Sequence, residues 1–312
     1  MEGLFLAVTA IIVTHNSAQV IEDCLECLAE MAPLLTPLAV DNASRDATLS
    51  RIRAANIANG KNLGFAAAVN QGVRATDTDF ILLLNPDVSL LTSVDALVEA
   101  SARYGLAAGK LVDASGHAQA GFTIRRFPTP ASLIFELFGL NRLWPSNPVN
   151  RKYRYLDRSL EQAGAVEQPA GAFLMFRRDV WEKLGGFDEK FYPIWFEDVD
   201  FCRRAALAGF RIEYVPNVQA RHRGAHSIAQ LPAGCRAWYW CASLLRYAAK
   251  HFDGFGYRAV CAAVAVSSLP RMVAGMIEQR SLAPVLVFSR IVRFAGLCLV
   301  SSRRRGVVPP NL

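Results

Sequence analysis

Short apolar runs alternate with segments of helical spacing through the first 85 residues of the chain. The apolar runs have the length of buried strands and lie at 7–13, 37–40, around 57 and at 80–84. Between them, apolar residues recur three and four positions apart, as in amphipathic helices, at 18–31, 48–55 and 66–74. This alternation predicts βαβ units, and so an α/β fold with a mostly parallel central sheet flanked by helices.

The second half of the chain shows the same signals after a break. A strand-like run at 171–176 leads to helices at 179–184 and 197–208, and a last strand is predicted at 211–215. The break itself, 121–165, is rich in Pro, Arg and aromatic residues and has no clean period. We expect a long, partly helical excursion there that forms a lid or a binding surface.

Charge divides the chain into two parts. The 312 residues carry a net charge of +7, yet residues 221–312 hold thirteen Lys and Arg against two Asp and Glu. This basic part is also rich in Leu, Val, Ala and Phe, which suits an anionic membrane surface and argues against a nucleic-acid partner. We therefore predict a main domain over 1–235 and a basic, amphipathic helical region over 236–312.

The apolar runs of the C-terminal region are interrupted between residues 259 and 302. Pro270, Glu278 and four arginines break them, so that none reaches the roughly 20 residues that span a bilayer. A peripheral attachment at the inner face of the cytoplasmic membrane is therefore expected. The alternative is that these helices pack on the main domain or on a second subunit of an oligomer.

Two further signals favour a cytoplasmic location. The start of the chain, Met1-Glu2, lacks the basic residues of a secretory signal, and the apolar run after it has no small-residue cleavage site. The seven cysteines are odd in number and scattered, which fits free thiols in a reducing compartment. Cys24 and Cys27 form a C-x-x-C pair, but no second pair completes a zinc set, so buried thiols are the favoured interpretation.

Small polar and acidic residues follow each predicted strand of the first half. They are Thr14-His15-Asn16, Asp41-Asn42, Asn59 to Gly64 and Asn85-Pro86-Asp87. In an open parallel sheet the ligand binds at the carboxyl ends of the strands, so these loops are expected to meet at one edge. Pro86 lacks a backbone donor and ends its strand, which holds Asp87 at that edge as either a turn residue or a ligand.

Two of these loops have both a structural and a binding interpretation. Asp41 fits a turn, because Asp folds back on its own backbone, and it also fits a carboxylate that accepts hydrogen bonds from a base or a ribose. Asn62 and Gly64 open a helix, which fits a plain cap and also a diphosphate held by unpaired N–H groups. The pattern is not G-x-G-x-x-G, so a dinucleotide site is not supported.

An acidic pair and two histidines complete the candidate chemistry. Glu197 and Asp198 begin a helix, where they complement its dipole, but the aromatic residues before them would raise a carboxylate pKa toward that of a general base. His222 and His226 fit a structural role or a metal site. One His and one Asp suffice for Mg²⁺ or Mn²⁺ when a diphosphate supplies the other oxygens.

Taken together, these motifs resemble the inverting family 2 glycosyltransferases with a GT-A fold, and in particular their rhamnosyltransferase-like branch. The resemblance covers most of residues 8–230. It rests on the ordered set IIVTHNSAQVIEDCLECL, VDNASRDAT, GKNLGFAAAVNQG, ILLLNPDV and QPAGAFLMFRRDVWEKLGGFDEKFYPIWFEDVDFCRRAALAGFRIEYVPNVQARHRGAHS. The excursion 121–165 and the residues beyond about 235 carry little of it.

The resemblance implies roles for residues at the family's motif positions. Nucleotide-sugar binding would involve Thr14, Asn16, Asp41, Asn62, Gly64, Asn85, Asp87, Gly171 and Ala172. Asp87 and His222 would hold Mg²⁺ or Mn²⁺. Asp198 would be the catalytic base, with Glu197 beside it in the catalytic pair. Asn85 departs from the family's fuller motif, which has a first Asp at that position.

The implied activity is transfer of rhamnose or another hexose from a nucleotide-diphosphate donor to a hydroxyl of a glycan or lipid-linked glycan. The reaction would invert the anomeric centre and serve cell-surface polysaccharide synthesis. A non-catalytic, GT-A-like glycan-binding module is a rival, disfavoured because the donor, metal and base positions are all filled. A nucleotidyltransferase is another, disfavoured because VTHNSAQV lacks a Gly-rich, basic phosphate loop. The sugar, its nucleotide and the acceptor stay open.

Overall fold

The computed structural model describes residues 7–224 and 230–301. The chain divides into two compact units. One, which we call the sheet unit, comprises Met1–Phe127, Arg154–Glu189 and Glu197–Ser227. The other, the helical unit, comprises Pro128–Tyr153, Lys190–Phe196 and Ile228–Leu312. The predicted domain boundary at residue 235 stays a prediction.

The strands of the described residues all lie in the sheet unit. They are β1 (Val8–Thr14), β2 (Thr36–Asp41), β3 (Ala55–Ala58), β4 (Phe80–Leu84), β5 (Val88–Leu90), β6 (Gly105–Val112), β7 (Ile124–Arg125), β8 (Gly164–Val166), β9 (Gln168–Pro169), β10 (Phe173–Arg177) and β11 (Arg211–His222). β7 and β9 pair in a small separate sheet, and the others form one sheet of order β3-β2-β1-β4-β10-β6-β11-β5, with β8 also on β11.

The sheet combines parallel and antiparallel pairing. β3, β2, β1 and β4 are parallel neighbours, and so are β6 and β11. β10 runs antiparallel between β4 and β6, and β5 and β8 run antiparallel to β11. The predicted α/β fold with a central sheet is thereby confirmed, and its parallel part is built from the predicted βαβ units.

Twelve helices lie in the described residues. They are α1 (Ile21–Met31), α2 (Thr48–Arg51), α3 (Phe65–Arg74), α4 (Asp95–Tyr104), α5 (Pro130–Leu137), α6 (Leu140–Leu143), α7 (Pro148–Tyr153), α8 (Arg178–Leu184), α9 (Glu197–Leu207), α10 (Ala233–His251), α11 (Gly254–Gln279) and α12 (Ala283–Val300). Of these, α1 to α4, α8 and α9 belong to the sheet unit, and α5 to α7 and α10 to α12 to the helical unit.

Helices cover both faces of the sheet, because alternate strand residues point to opposite sides. From β1, Ala10 and Ile12 enter a core shared with α1 and α4. Ile11 and Val13 enter a second core, shared with α3, α8 and α9. A strand buried on both faces appears in sequence as a continuous apolar run, and this is why β1 and β4 were recognisable without any alternation.

Two features of the sheet differ from the sequence-based prediction. The last strand does not end at Val215 but continues to His222, because a register shift between Val215 and Gln219 accommodates Pro216 before pairing resumes. β6 was not predicted, since its sequence GLAAGKLV lacks the usual β-branched signal. Its Gly109 has a packing reason: a Cβ there would clash with the Phe173 ring and the Val218 carbonyl.

The helical unit begins with a well-capped helix. The Thr129 hydroxyl accepts a hydrogen bond from the Ser132 N–H, and Pro130 occupies the first turn of α5. Asp253 caps α11 in a similar way, by accepting from the Gly256 N–H at 2.7 Å. The predicted helical character of 121–165 is confirmed in part by α5, α6 and α7.

Helices α11 and α12 are longer and more apolar than the sequence pattern indicated. Within the described ranges, these two helices are long and apolar enough to cross a membrane by length and composition, with mean hydropathies of 1.7 and 1.8 over 18 residues. About a third of each such stretch is buried. The prediction that no apolar C-terminal segment is long enough to span a bilayer was wrong, because α11 continues through Pro270.

Candidate functional site

The ends of β1 and β2 are tied together by buried polar side chains. Thr14 and Asp41 are register partners, and the Thr14 hydroxyl donates to Asp41 Oδ1 at 2.8 Å. The Ser44 N–H donates to Asp41 Oδ2 at 2.9 Å and its hydroxyl to Oδ1 at 2.5 Å. Asp41 is fully buried. Its hydrogen bonds with Ser44, three residues later, are those expected of a turn residue. Its place in nucleoside binding stays a prediction.

Neighbouring loops join this pair through amide side chains. Asn16 adopts a left-handed backbone (φ 51°), its N–H donates to Ser44 Oγ at 2.8 Å, and its Oδ1 accepts from the Arg45 N–H at 2.7 Å. Asn42 donates to the Gly64 carbonyl at 3.1 Å. Asn42 was not among the predicted site residues, although its position directly after Asp41 was a usable signal.

The loop before α3 is shaped by an Asn-Gly pair. Gly64 has φ 86°, which a side chain rarely adopts, and it immediately precedes the helix. Asn62 Oδ1 accepts from the Gly64 N–H at 2.8 Å, as in an Asx turn. These contacts support the structural interpretation of the loop, and the predicted diphosphate contact at the N-terminus of α3 stays a prediction.

Asn85-Pro86-Asp87 connects β4 to β5. The Asn85 N–H donates to the Ala172 carbonyl at 3.0 Å, and the Val88 N–H donates back to the Asn85 carbonyl at 3.1 Å, which closes the turn. Asp87 then stands one residue before Val88, which pairs with His222 across the β5–β11 ladder. The ladder therefore brings Asp87 Oδ2 to within 3.6 Å of His222 Nε2 although the two residues are far apart in sequence.

A glutamine fixes the His222 ring. Gln119 Nε2 donates to the His222 carbonyl at 2.9 Å, and Gln119 Oε1 lies 2.9 Å from His222 Nδ1. Because the carbonyl can only accept, the amide oxygen must face Nδ1, so Nδ1 carries the hydrogen in the neutral ring. The Nε2 lone pair then points toward Asp87. Phe122 stacks on the ring at 4.9 Å between centroids.

The Asp87–His222 pair has the chemistry of a partial metal site. Burial lowers the pKa of His222, against the opposing charge of Asp87, so the neutral, ligating form is favoured. A carboxylate and an imidazole lone pair then face each other without a hydrogen between them, an arrangement that a divalent cation satisfies. In the described part of the chain, no group of three or more His, Cys, Asp and Glu could hold a metal by itself. His226 lies outside the described residues.

Asp198 is held at the start of α9 by two backbone donors. The Gly171 N–H donates to Oδ2 at 2.9 Å and the Val199 N–H to Oδ1 at 2.8 Å. Desolvation of this half-buried carboxyl group raises the pKa of Asp198, while those two hydrogen bonds and the charge of Arg125 oppose the rise. The result is a carboxylate in a fixed orientation that binds a proton more readily than an exposed Asp.

The other acidic residues of this turn have different environments. Glu197 is 5% exposed, and its Oε2 has no hydrogen-bond partner among the described residues. Burial and the charge of Asp198 raise the pKa of Glu197 well above its ordinary value. Asp200 is fully buried and pairs with Arg204 at 2.7 Å, which also donates to two backbone carbonyls. Asp200 is therefore a structural residue.

The predicted residues form three connected groups in the sheet unit. Thr14, Asn16 and Asp41 meet at one set of strand ends, and Asn42 connects them to Gly64. Asn85 contacts Ala172, whose neighbour Gly171 contacts Asp198. Asp87 pairs with His222. Gln119, Phe122 and Arg125 contribute to these groups and were not predicted, because the residues they act on, His222 and Asp198, lie far away in sequence.

Comparison with known proteins finds relatives of this chain. A sequence model described as Glycosyl transferase family 2 matches residues 9–185, and one described as Glycosyl transferase family group 2 matches residues 153–300. The chain is 31% identical over 253 residues to the N-acetylglucosaminyl-diphospho-decaprenol L-rhamnosyltransferase of Mycobacterium tuberculosis, covering 72% of this chain and 78% of that protein. It is 30% identical over 198 residues to rhamnosyltransferase WbbL of Escherichia coli, covering 61% and 70%.

A solved structure shares the fold. Mannosyltransferase PcManGT from Pyrobaculum calidifontis, in complex with GDP-Man and Mn²⁺, superposes with a TM-score of 0.52 at 16% identity. The superposition covers 95% of this chain and 87% of that protein. At this identity the likeness concerns the fold alone. With one family model matching more than half of the chain and a relative at 31% identity, the chain belongs to glycosyltransferase family 2.

Proposed function

We propose that this glycosyltransferase transfers rhamnose, or another hexose, from a nucleotide-diphosphate sugar to a hydroxyl of a lipid-linked glycan, with inversion of the anomeric centre. Two relatives are named as rhamnosyltransferases, and one of them is named for an N-acetylglucosaminyl-diphospho-decaprenol substrate. The donor side of the proposal is supported by the helix N-terminus that follows Gly64, which Asn42 ties to the end of β2.

Asp87 and His222 are the proposed ligands for Mg²⁺ or Mn²⁺. When bound, the ion neutralises negative charge on the leaving diphosphate. Gln119 orients His222 through its Nδ1–H, and this is the usual task of residues one contact away from a metal. Because Asp87 and His222 are few ligands for a divalent ion, further oxygen ligands would have to come from the donor's diphosphate.

Asp198 is the proposed general base, and its environment is the observation that carries the proposal. The acceptor hydroxyl gives its proton to Asp198 as its oxygen forms a bond to the anomeric carbon, while the bond from that carbon to the diphosphate oxygen breaks. Two backbone donors orient the carboxylate, and its raised pKa favours uptake of the proton. Glu197, buried beside it, is proposed to support the site without contacting the proton.

The test replaces Asp198 by Asn, a change that preserves shape and removes the base. We expect Asp198→Asn to bind the nucleotide sugar with Mn²⁺ as the wild type does, in a thermal-shift titration, and to lose transfer. Asp179→Asn, on the exposed turn of α8, serves as the matched control and should retain activity. Transfer by Asp198→Asn within tenfold of the control would show that Asp198 is not the base.

We also infer that the helical unit attaches the enzyme to the cytoplasmic face of the membrane. On α11, Val266, Leu269, Val273 and Ile277 are all more than half exposed and follow helical spacing, so they form one apolar stripe. Interfacial helices of this kind resist release by salt, which screens charges only. Membranes washed with 1 M salt should retain the protein, and alkaline carbonate should release it. Full release by salt alone contradicts the apolar attachment, and retention through carbonate indicates spanning helices.

A further inference from the structure

Two adjacent arginines at the end of β7 have different surroundings. Arg126 forms an ion pair with Asp157 at 3.0 Å, and its guanidinium group lies over the ring of Tyr155. Arg125 is half-buried and donates through Nε to the Gly121 carbonyl at 2.6 Å. Among the described residues, the terminal nitrogens of Arg125 have no hydrogen-bond acceptor and no carboxylate partner. The contacts of Arg126 are therefore structural, whereas Arg125 has an oriented guanidinium group with donors to spare.

Strand pairing places Arg125 close to the proposed base. Arg125 pairs with Gln168 across the β7–β9 ladder. Soon after β9 the chain reaches Gly171, whose N–H donates to Asp198 at 2.9 Å. The charge of Arg125 opposes the rise in the pKa of Asp198 that burial causes, so the guanidinium group lies within electrostatic range of this carboxylate.

An aromatic ring connects the same guanidinium group to the Asp87–His222 pair. The guanidinium carbon of Arg125 lies 5.6 Å from the centre of the Phe122 ring, and the centre of the His222 ring lies 4.9 Å from it. His222 Nε2 is in turn 3.6 Å from Asp87 Oδ2. All these residues belong to the sheet unit. One oriented cation is therefore close both to the proposed base and to the proposed metal ligands.

A cation at this position opposes the proposed base unless an anion accompanies it. A nearby positive charge lowers the affinity of Asp198 for a proton, and a base needs that affinity. An anion bound to Arg125 would cancel the effect. The planar guanidinium group binds two phosphate oxygens in parallel, so a phosphate group is the anion that fits it best.

The charges around the Asp87–His222 pair also leave a place for this cation. Arg223, the residue after His222, forms an ion pair with Asp23. A divalent ion beside the carboxylate of Asp87 would balance only part of the negative charge of a nucleoside diphosphate. In a displacement at the anomeric carbon, that charge increases as the diphosphate departs, and a fixed donor is most effective where charge develops. Arg125 is placed to supply one.

We propose that Arg125 is a further catalytic residue, which binds the departing diphosphate of the nucleotide sugar through its terminal N–H groups. The inference rests on the proposed function for the identity of the donor. As the bond from the anomeric carbon to the diphosphate oxygen breaks, its electron pair stays with that oxygen, and the N–H groups of Arg125 donate to the β-phosphate. The proton of the acceptor hydroxyl goes to Asp198. Arg125 thus acts on the leaving group, and Asp198 acts on the attacking group.

The first experiment measures binding of UDP, dTDP and GDP to the full chain by isothermal titration calorimetry at saturating Mn²⁺. Arg125→Gln should weaken binding of the diphosphate that the wild type binds most tightly by about tenfold or more. The corresponding monophosphate lacks the β-phosphate and should bind the variant and the wild type equally. Arg53→Gln replaces an exposed arginine between α2 and β3 and is the matched control. It should bind both nucleotides as the wild type does.

Three results of this titration would overturn the inference. They are an unchanged diphosphate affinity in Arg125→Gln, an equal loss for the monophosphate and the diphosphate, and a wild type that binds none of the three diphosphates. Each variant must melt cooperatively, as the wild type does. If Arg125→Gln does not fold, Arg125→Lys gives the same test, because an ammonium group cannot bind two phosphate oxygens in parallel.

A kinetic comparison separates the donor diphosphate from an acceptor diphosphate. The two acceptors are a diphosphate-linked polyprenyl N-acetylglucosamine and octyl N-acetylglucosaminide, which has no phosphate. With both, Arg125→Gln should lower kcat by about tenfold or more and change the KM of the nucleotide sugar less, because the contact strengthens as the diphosphate departs. A loss seen only with the diphosphate-linked acceptor would overturn the assignment to the donor. If the wild type uses neither acceptor, the proposed function fails, and the nucleotide titration still decides the inference.

Discussion

Gly171 approaches Asp198 so closely that no side chain fits between them. A Cβ on Gly171 would lie 2.9 Å from Asp198 Cβ and 3.2 Å from its Oδ2. Non-bonded carbon atoms rest about 3.5–4.0 Å apart, so Gly171→Ala must displace the Asp198 side chain or its own backbone by about 0.6–1 Å. The substitution therefore changes the position of the proposed base but retains its carboxylate group. A substitution of Asp198 itself removes that group.

The size of the effect follows from the contact that is lost. The displacement stretches the hydrogen bond from the Gly171 N–H to Asp198 Oδ2, now 2.9 Å long. A hydrogen bond to a charged group contributes about 1.5–3 kcal/mol. About 1.4 kcal/mol corresponds to a tenfold change in rate. Misplacing a reacting group by about 1 Å alone lowers the rate by up to about a hundredfold. We therefore expect the rate of transfer to fall by about ten- to a hundredfold.

The assay compares kcat/KM for transfer with the Kd of the nucleotide sugar, both at saturating Mn²⁺. Gly296→Ala, in α12 and outside the strand-end loops, is the matched control, because a Cβ at Gly296 meets no atom within 4 Å and its backbone imposes no strain. Gly171→Ala should keep the donor Kd within threefold and melt cooperatively. A folded Gly171→Ala enzyme with transfer within threefold of Gly296→Ala would refute the proposed geometry of the base.

Three further substitutions test electrostatics at the same site. Burial raises the pKa of Asp198, and the charge of Arg125 opposes that rise. Because the base must be ionised to accept a proton, activity is lost as pH falls through the pKa of Asp198. Arg125→Gln should therefore move the acid limb of the pH–rate profile to higher pH, and an unchanged limb would contradict the coupling. Gln119→Leu frees the ring of His222 and should weaken Mn²⁺ binding by about 10–100-fold. The affinity is measured by electron paramagnetic resonance with the nucleotide present. Equal affinity in the variant and the wild type would show that Gln119 does not orient His222 for the metal. The pKa of Glu197 is raised in the folded state, so the wild type loses stability as pH rises from the ordinary Glu value through the raised one. Glu197→Gln should lack this loss in urea unfolding curves from pH 5 to 8, and parallel pH dependence in both proteins would refute it.

The parts of the fold that the sequence predicted are those with local signals. β1 and β4 are continuous apolar runs, and the helix of Asp179 and Leu184 has clear periodicity. Asp87 was placed at the sheet edge because Pro86 ends the preceding strand. In each case the residues that determine the feature are neighbours in the chain, so a short window contains the information.

The parts that were missed depend on partners far away in sequence. Gln119 is defined by its two contacts with His222, 103 residues later. β6 is a strand because β10 and β11 pair on either side of it, and its Gly and Ala content reflects the ring of Phe173 packed against it. Pro270 lies inside α11 without ending it, because helix packing in the tertiary structure overrides local propensity. None of this is visible in a window of ten residues.

The bulge in β11 divides the strand into two paired parts, and it tolerates insertions and deletions that the paired part after it does not. Before the bulge, Val215 is the last residue that pairs with β6; after it, pairing with β6 resumes at Gln219 and runs to Arg221, while His222 pairs with Val88 of β5. Because side chains alternate along a strand, deleting one residue after Gln219 would turn His222 to the opposite face and away from Asp87. Inserting or deleting a residue at Pro216 or Asn217 would change only the size of the bulge. Variation in length among homologues should therefore be tolerated at 216–217, whereas the spacing from 219 to 222 should be fixed.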